Sequence, residues 1–210
     1  MSLSRLGQAT VRAAALIDIG RCADALPLLH QAIAQDPDDL NARCLLGLAL
    51  MREGRWQEAE IAARDAIAVA PAHGRAHSLR AYTLKALNRR DEALQEAQRG
   101  VELDPTTPDR YQALVQVALD WRTDVAQAAS ETLLRLAPES AEAHFRAGTV
   151  SMFRGEYPEA EAFMRRALSL DPTYRGAHNN LGVTLIRQGR RAEAFAAYQR
   201  AAALDPSDQT

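Results

Sequence analysis

Apolar and polar positions repeat along this chain in step with a recurring proline. Pro37, Pro71, Pro105, Pro138, Pro172 and Pro206 follow one another at intervals of 34, 34, 33, 34 and 34 residues. With each proline counted as position 32 of a unit, small residues fall at positions 8, 20 and 27, and larger apolar ones at 7, 11, 24, 28 and 30. Position 20 is alanine in every unit: Ala25, Ala59, Ala93, Ala126, Ala160 and Ala194. The larger set is Leu46, Leu50, Ile67 and Val69 in the second unit, and Leu181, Leu185, Tyr198 and Leu204 in the sixth. This spacing predicts two amphipathic helices per unit, which meet where the side chains are small. Proline cannot continue a helix and disfavours a helical residue before it, so each one marks a turn into the next unit. Gly20, Gly54, Gly155 and Gly189 share position 15, the turn inside the unit, where a left-handed backbone suits glycine. A unit this short cannot bury its own apolar face, so the pattern predicts a stack.

The irregularities are local. The fourth unit is one residue short between Ala118 and Ala126 and lacks the turn glycine, which predicts an altered turn around Asp120-Trp121-Arg122-Thr123. Pro27 falls inside a second helix and removes one backbone hydrogen bond there. Arg12 and Arg80 stand at position 7, where leucine is usual; either they reach out to solvent or the helices that carry them are rotated.

Composition narrows the function classes. The net charge is −2, from 27 acidic and 25 basic residues, so no global field favours nucleic acid or an anionic membrane. Lys85 is the only lysine, which points to a GC-rich, bacterial coding bias. No apolar run approaches the roughly 18 residues of a membrane span. The stretch from Ala13 to Ile17 is broken by Asp18 and fits the first unit, so it is assigned to the fold and not to a leader. Cys22 and Cys44 begin different helices, roughly 15 Å apart at 1.5 Å per residue. A disulfide needs its Cα atoms within about 7 Å. Free thiols in a reducing compartment, the cytoplasm, are expected.

Length, small-residue positions and proline position together resemble the tetratricopeptide repeat (TPR) family. The resemblance spans nearly the whole chain and is strongest in AEAHFRAGTVSMFRGEYPEAEAFMRRALSLDP and GAHNNLGVTLIRQGRRAEAFAAYQRAAALDP. It implies an all-α, right-handed α-solenoid of six helix–turn–helix units and about twelve antiparallel helices. The repeats fall at about 6–39, 40–73, 74–107, 108–140, 141–174 and 175–208 of a single solenoid, 1–210.

Residues that invite a chemical role follow the repeat. His77, His144 and His178 share position 4, but equivalent residues in neighbouring units are about 8–10 Å apart or more. One zinc ion needs its ligands within roughly 2.3 Å, so a structural slot is expected and no metal. Acid pairs such as Asp38-Asp39 and Glu156/Glu159 fall at loops and helix starts, where carboxylates satisfy free amides. The glycines form no phosphate loop, and the arginine pairs at 89–90, 165–166 and 190–191 have acids beside them. No catalytic centre, cofactor or nucleic-acid surface is expected.

The resemblance implies a concave surface lined by positions 2, 5, 9, 12 and 13 of each first helix. Those positions supply Cys44, Leu48, Met51 and Arg52, then Arg75, Tyr82 and Lys85. Asp109, Gln112, Gln116 and Leu119 follow, then Phe145, Thr149, Met152 and Phe153, then Asn179, Val183, Ile186 and Arg187. Leu48 and Phe153 can equally pack between neighbouring first helices. The expectation is a non-catalytic scaffold that binds a peptide or helix. Tyr82, Phe145, Met51 and Met152 would anchor it, and Arg52, Arg75 and Lys85 would favour an acidic segment. The family's carboxylate clamp is not matched: Arg75 with Leu79 and Glu142 with Arg146 do not qualify, and Asn180 is the only asparagine at position 6. Two other expectations remain open. One is a self-associating assembly protein that pairs through a terminal edge at Phe195 and Tyr198. The other is the repeat portion of a longer enzyme or membrane protein.

Overall fold

A computed structural model of the chain describes residues 5–204, which form twelve α-helices and no strand. Pro206, with Asp205 and Asp208, lies outside the described residues. Two compact units divide the chain, residues 1–105 and 106–210. The first holds α1 (Arg5–Asp18), α2 (Cys22–Gln35), α3 (Leu40–Arg52), α4 (Trp56–Val69), α5 (Gly74–Ala86) and α6 (Arg90–Leu103). The second holds α7 (Pro108–Ala118), α8 (Thr123–Leu136), α9 (Ala141–Arg154), α10 (Tyr157–Leu170), α11 (Arg175–Arg187) and α12 (Arg191–Ala203). Within each unit every helix packs on the next, and the first helices of successive repeats also touch: α1 on α3 on α5, and α7 on α9 on α11.

The small-residue slots close the hairpins. All six alanines at position 20 are fully buried. A Cβ on Gly182 would sit 2.6 Å from the Tyr198 ring, so the missing side chain is what seats that tyrosine. Gly20, Gly54, Gly155 and Gly189 are left-handed, with φ of +80°, +71°, +78° and +79°. The third repeat meets the same need with Asn88, at φ 60°. The fourth meets it otherwise: α7 stops early, and Trp121 donates its ring N–H to the Val117 carbonyl at 3.2 Å. A Cβ on Gly189 would meet nothing within 4 Å. Gly189→Ala therefore isolates the backbone term and should cost about 1–2 kcal/mol in urea denaturation.

In two of the inter-repeat turns the aspartate before the proline has a visible task. Asp36 Oδ1 accepts the Asp38 N–H at 3.1 Å, and Asp171 Oδ1 accepts the Thr173 N–H at 2.9 Å. Pro27 lies on the exposed side of an unbroken α2. Cys22 and Cys44 are buried and not joined to each other. No helix among the described residues is long and apolar enough to cross a membrane.

Candidate functional site

The histidines of position 4 have a structural task. His77, His144 and His178 each donate from Nε2 to the carbonyl of the proline six residues earlier, Pro71, Pro138 and Pro172, at 3.0, 2.8 and 3.0 Å. Arg43 does the same to Pro37, from Nε at 3.0 Å. In these four repeats the slot holds a long side chain whose N–H reaches the turn carbonyl. Among the described residues no group of three His, Cys, Asp or Glu side chains could hold a metal ion.

Arg80 neither reaches out to solvent nor rotates its helix away; it joins a half-buried ion network in the first unit. Its guanidinium bonds Glu60 of α4 at 3.1 Å and Glu96 of α6 at 2.6 Å. The other oxygen of Glu96 lies 2.6 Å from His77 Nδ1. Both ring nitrogens of His77 therefore face acceptors, a carboxylate and the Pro71 carbonyl, and only the imidazolium can donate to both. The bond to Glu96 accordingly raises His77 above its ordinary value, against the pull of burial. Burial pushes Glu96 up, but the His77 hydrogen bond and the Arg80 charge outweigh it and hold Glu96 below its ordinary value. Two cations and two carboxylates thus balance between α4, α5 and α6.

The first-helix face expected to bind differs in the two units. In the first, Cys44 is not a surface residue: it is 2% exposed, packed with Ala66 and Ala76 against Leu40 and Ile67. Position 5 here faces the neighbouring repeat, and Thr10 and Ser78 are buried at the same position. Leu48 and Met51 are half-buried against the core of repeats one and two. The Arg52 guanidinium donates to the Ile17 carbonyl at the end of α1. Arg75 is exposed, while Tyr82 and Lys85 are half-buried.

In the second unit Phe145 is packed, not free. Its ring lies 4.9 Å from the Tyr174 ring, the Arg146 guanidinium stands 5.8 Å from its centroid, and glycine at 176 leaves it room. Burial first, then a hydrogen bond to Glu142, raise the Tyr174 hydroxyl above its ordinary value. Thr149 Oγ1 donates to the Phe145 carbonyl at 2.8 Å and accepts from Asn180 Nδ2 at 3.1 Å. The single position-6 asparagine is thereby tied to the neighbouring helix. Met152 is half-buried against the core of repeats five and six. Gln112, Gln116 and Asn179 are half-buried. The uncovered apolar side chains are others: Phe153 is 54% exposed, Ile186 45% and Val183 37%. They occupy positions 13, 12 and 9 of adjacent first helices, and Arg187 lies exposed beside them. On α12, Phe195 is 63% exposed, whereas Tyr198 is partly committed to Gly182.

Arginine at position 16 pairs with an acid at position 19, as in Arg55–Glu58 at 2.6 Å, Arg89–Glu92 at 2.5 Å and Arg190–Glu193 at 2.6 Å. Such exposed pairs contribute little stability.

Three models described as tetratricopeptide repeat match the sequence, over residues 10–72 and 122–175, 50–117, and 176–208. The chain belongs to the tetratricopeptide repeat family, and its fold is an α-solenoid of six such repeats. Solved structures resemble it at low identity. A thermophilic TPR protein of Thermus thermophilus is 20% identical, with TM-score 0.75, and the match covers 91% of this chain and 99% of that one. A TPR protein of Parabacteroides merdae is 18% identical, with TM-score 0.71 and coverage of 95% and 80%. YrrB, described as a TPR protein with an unusual peptide-binding site, is 18% identical, with TM-score 0.57 and coverage of 85% and 92%. No curated protein matches the sequence.

Proposed function

We propose that this chain is a non-catalytic protein-interaction scaffold that holds a peptide or helix of a partner on its first-helix face, with the second unit as the main contact. The observation that carries this is the exposure of Phe153, Val183 and Ile186 on adjacent first helices, beside the Arg187 cation. The repeat cores do not use these side chains, and apolar anchors beside arginine are what recognition surfaces concentrate. Family membership supports a role in protein interaction, and the peptide-binding site in the description of YrrB supports a peptide as the guest. Arg187 favours an acidic residue in that guest. Phe145 and Met152 underlie the surface as support.

Phe153→Asp combined with Ile186→Asp tests this. Both side chains are exposed, so helicity by circular dichroism should not change. Proteins retained by the wild type in a quantitative pull-down from the native host should fall by about tenfold or more. Equal retention by the folded double variant would remove the face from the proposal. Self-association through α12 has one observation in its favour, the exposed Phe195, and light scattering of Phe195→Glu beside the wild type measures it.

A further inference from the structure

The second helices carry a feature that the first-helix face does not explain. Between the second helices of repeats one and two lies a notch of about 290 Å³, and between those of repeats five and six one of about 350 Å³. Both are lined by the same repeat positions: 25 and 28 on one wall, 4, 7 and 11 on the floor, and 19, 22, 23 and 26 on the other wall. Position 23 is alanine in both, Ala62 and Ala197. Where it is larger, the equivalent space is filled. Phe163 leaves only about 50 Å³ between repeats four and five, and Glu96 fills the place between repeats two and three with its ion network. One residue per repeat therefore decides whether the notch is open.

The rim of the notch in the second unit has a definite charge. Its floor is Leu181 and Leu185, and Leu168 and Ala196 lie on its walls. Arg165 stands on the α10 wall, paired with Glu161 at 2.8 Å and 3.8 Å from Glu193, and Arg200 stands on the α12 wall with no ion pair among the described residues. The single acid, Glu193, is held by Arg190 at 2.6 Å. The lining in the first unit carries two acids, Glu58 and Asp65, with Arg43 4.0 Å from Asp65, where the second unit has the one acid and two arginines.

We infer that the notch between α10, α11 and α12 is a second docking site, separate from the first-helix face. Its guest is an acidic amphipathic helix of a partner protein, which inserts one apolar side chain over Leu181 and Leu185. Arg200, without an ion pair among the described residues, calls for a carboxylate one helical turn from that residue. The same geometry disfavours a basic helix, which would meet Arg200.

The test uses a synthetic helical peptide with one leucine between two glutamates at one-turn spacing, labelled for fluorescence anisotropy, and its lysine-for-glutamate counterpart. The glutamate peptide should bind saturably and the lysine peptide should not. Ala197→Phe places at position 23 the residue that repeat five already carries there, and should weaken binding by about tenfold or more. Arg200→Glu, an exposed change, should do the same even if Ala197→Phe fails to fold. Ile186→Asp should leave this binding unchanged, so the outcome is independent of the first-helix face. Equal binding by folded Ala197→Phe and by Arg200→Glu would overturn the site. So would equal binding of the lysine peptide, no saturable binding, or light scattering that shows a second copy of the chain occupying the notch.

Discussion

Glu96→Ala should destabilise the first unit by about 3 kcal/mol, the largest loss expected from any single substitution considered in this protein. The carboxylate is the hinge of the network: it meets Arg80 at 2.6 Å with one oxygen and His77 at 2.6 Å with the other. Its removal leaves two cations among α4, α5 and α6, with only Glu60, 3.1 Å from Arg80, to oppose them. Side-chain exposure across the four groups is 9–22%, so water relieves the charge only in part. Replacing all four groups, Glu60, His77, Arg80 and Glu96, with apolar residues of similar volume should cost less than the single change, because no charge is left unpaired.

The same network makes stability depend on pH. His77 is raised above its ordinary 6.5, so its contribution is complete below that value and fades as pH climbs through the higher folded value. Glu96 is lowered below its ordinary 4.5, so its contribution is complete above that value and fades as pH falls through the lower folded one. The network should therefore favour the folded state most between 4.5 and 6.5. The charged groups facing His77 are Glu96, Arg80 and Arg99, with Glu60 behind Arg80. Denaturation midpoints across a pH series should fall on the alkaline side in the wild type, and His77→Gln should flatten that limb. An alkaline limb unchanged by His77→Gln would assign it to another group.

Ala160→Leu is the second large effect, about 1–3 kcal/mol of destabilisation. Ala160 is fully buried, and its carbonyl lies 3.2 Å from where a Cβ on Gly148 would stand, so the two helices of the fifth repeat already touch through their smallest parts. Interactions in a repeat stack run between nearest neighbours, so repeats four to six should lose protection from hydrogen exchange while the first unit keeps it. Thermal unfolding indistinguishable from the wild type would show that the hairpin has room the geometry does not reveal.

What was legible in the sequence is what the period imposes. The proline, the alanine at position 20 and the glycine at position 15 repeat because each backbone turn and each close helix contact repeats. Asn88 shows the limit of that legibility. Its left-handed backbone continues the pattern, but its side chain hides it among polar neighbours. Side chains whose partners lie on other helices were less visible. Arg80 looked like an exception at position 7 because its partners, Glu60 and Glu96, are 20 and 16 residues away. The available signal was a second exception, Glu96 at position 23, where Leu28, Ala62, Ala129, Phe163 and Ala197 stand in other repeats.

The binding face shows the same division. Register alone placed Cys44 and Phe145 on it, but position 5 is buried at Thr10, Cys44 and Ser78 of the first unit and half-buried at Gln112, Phe145 and Asn179 of the second. Cys44 lies against Ala76, and Phe145 settles beside Tyr174 in the space that Gly176 leaves. Phe153, by contrast, belongs to the set that register selects and stays exposed, as do Val183 and Ile186. Spacing argues against a shared metal at the histidines of position 4, yet their purpose needed the proline carbonyl six residues back. That offset was present in the sequence for Arg43 and all three histidines.

The central claim, that a partner is held on the first-helix face of the second unit, is tested most directly by site-specific photo-crosslinking in the native host. A crosslinker carried at position 186 should give a discrete protein adduct, and the same group at Gln31, exposed on α2 of the first unit, should not. The adduct should disappear when Phe153→Asp is added. A position-186 crosslinker that captures nothing beyond what Gln31 captures, or an adduct indifferent to Phe153→Asp, would contradict the account.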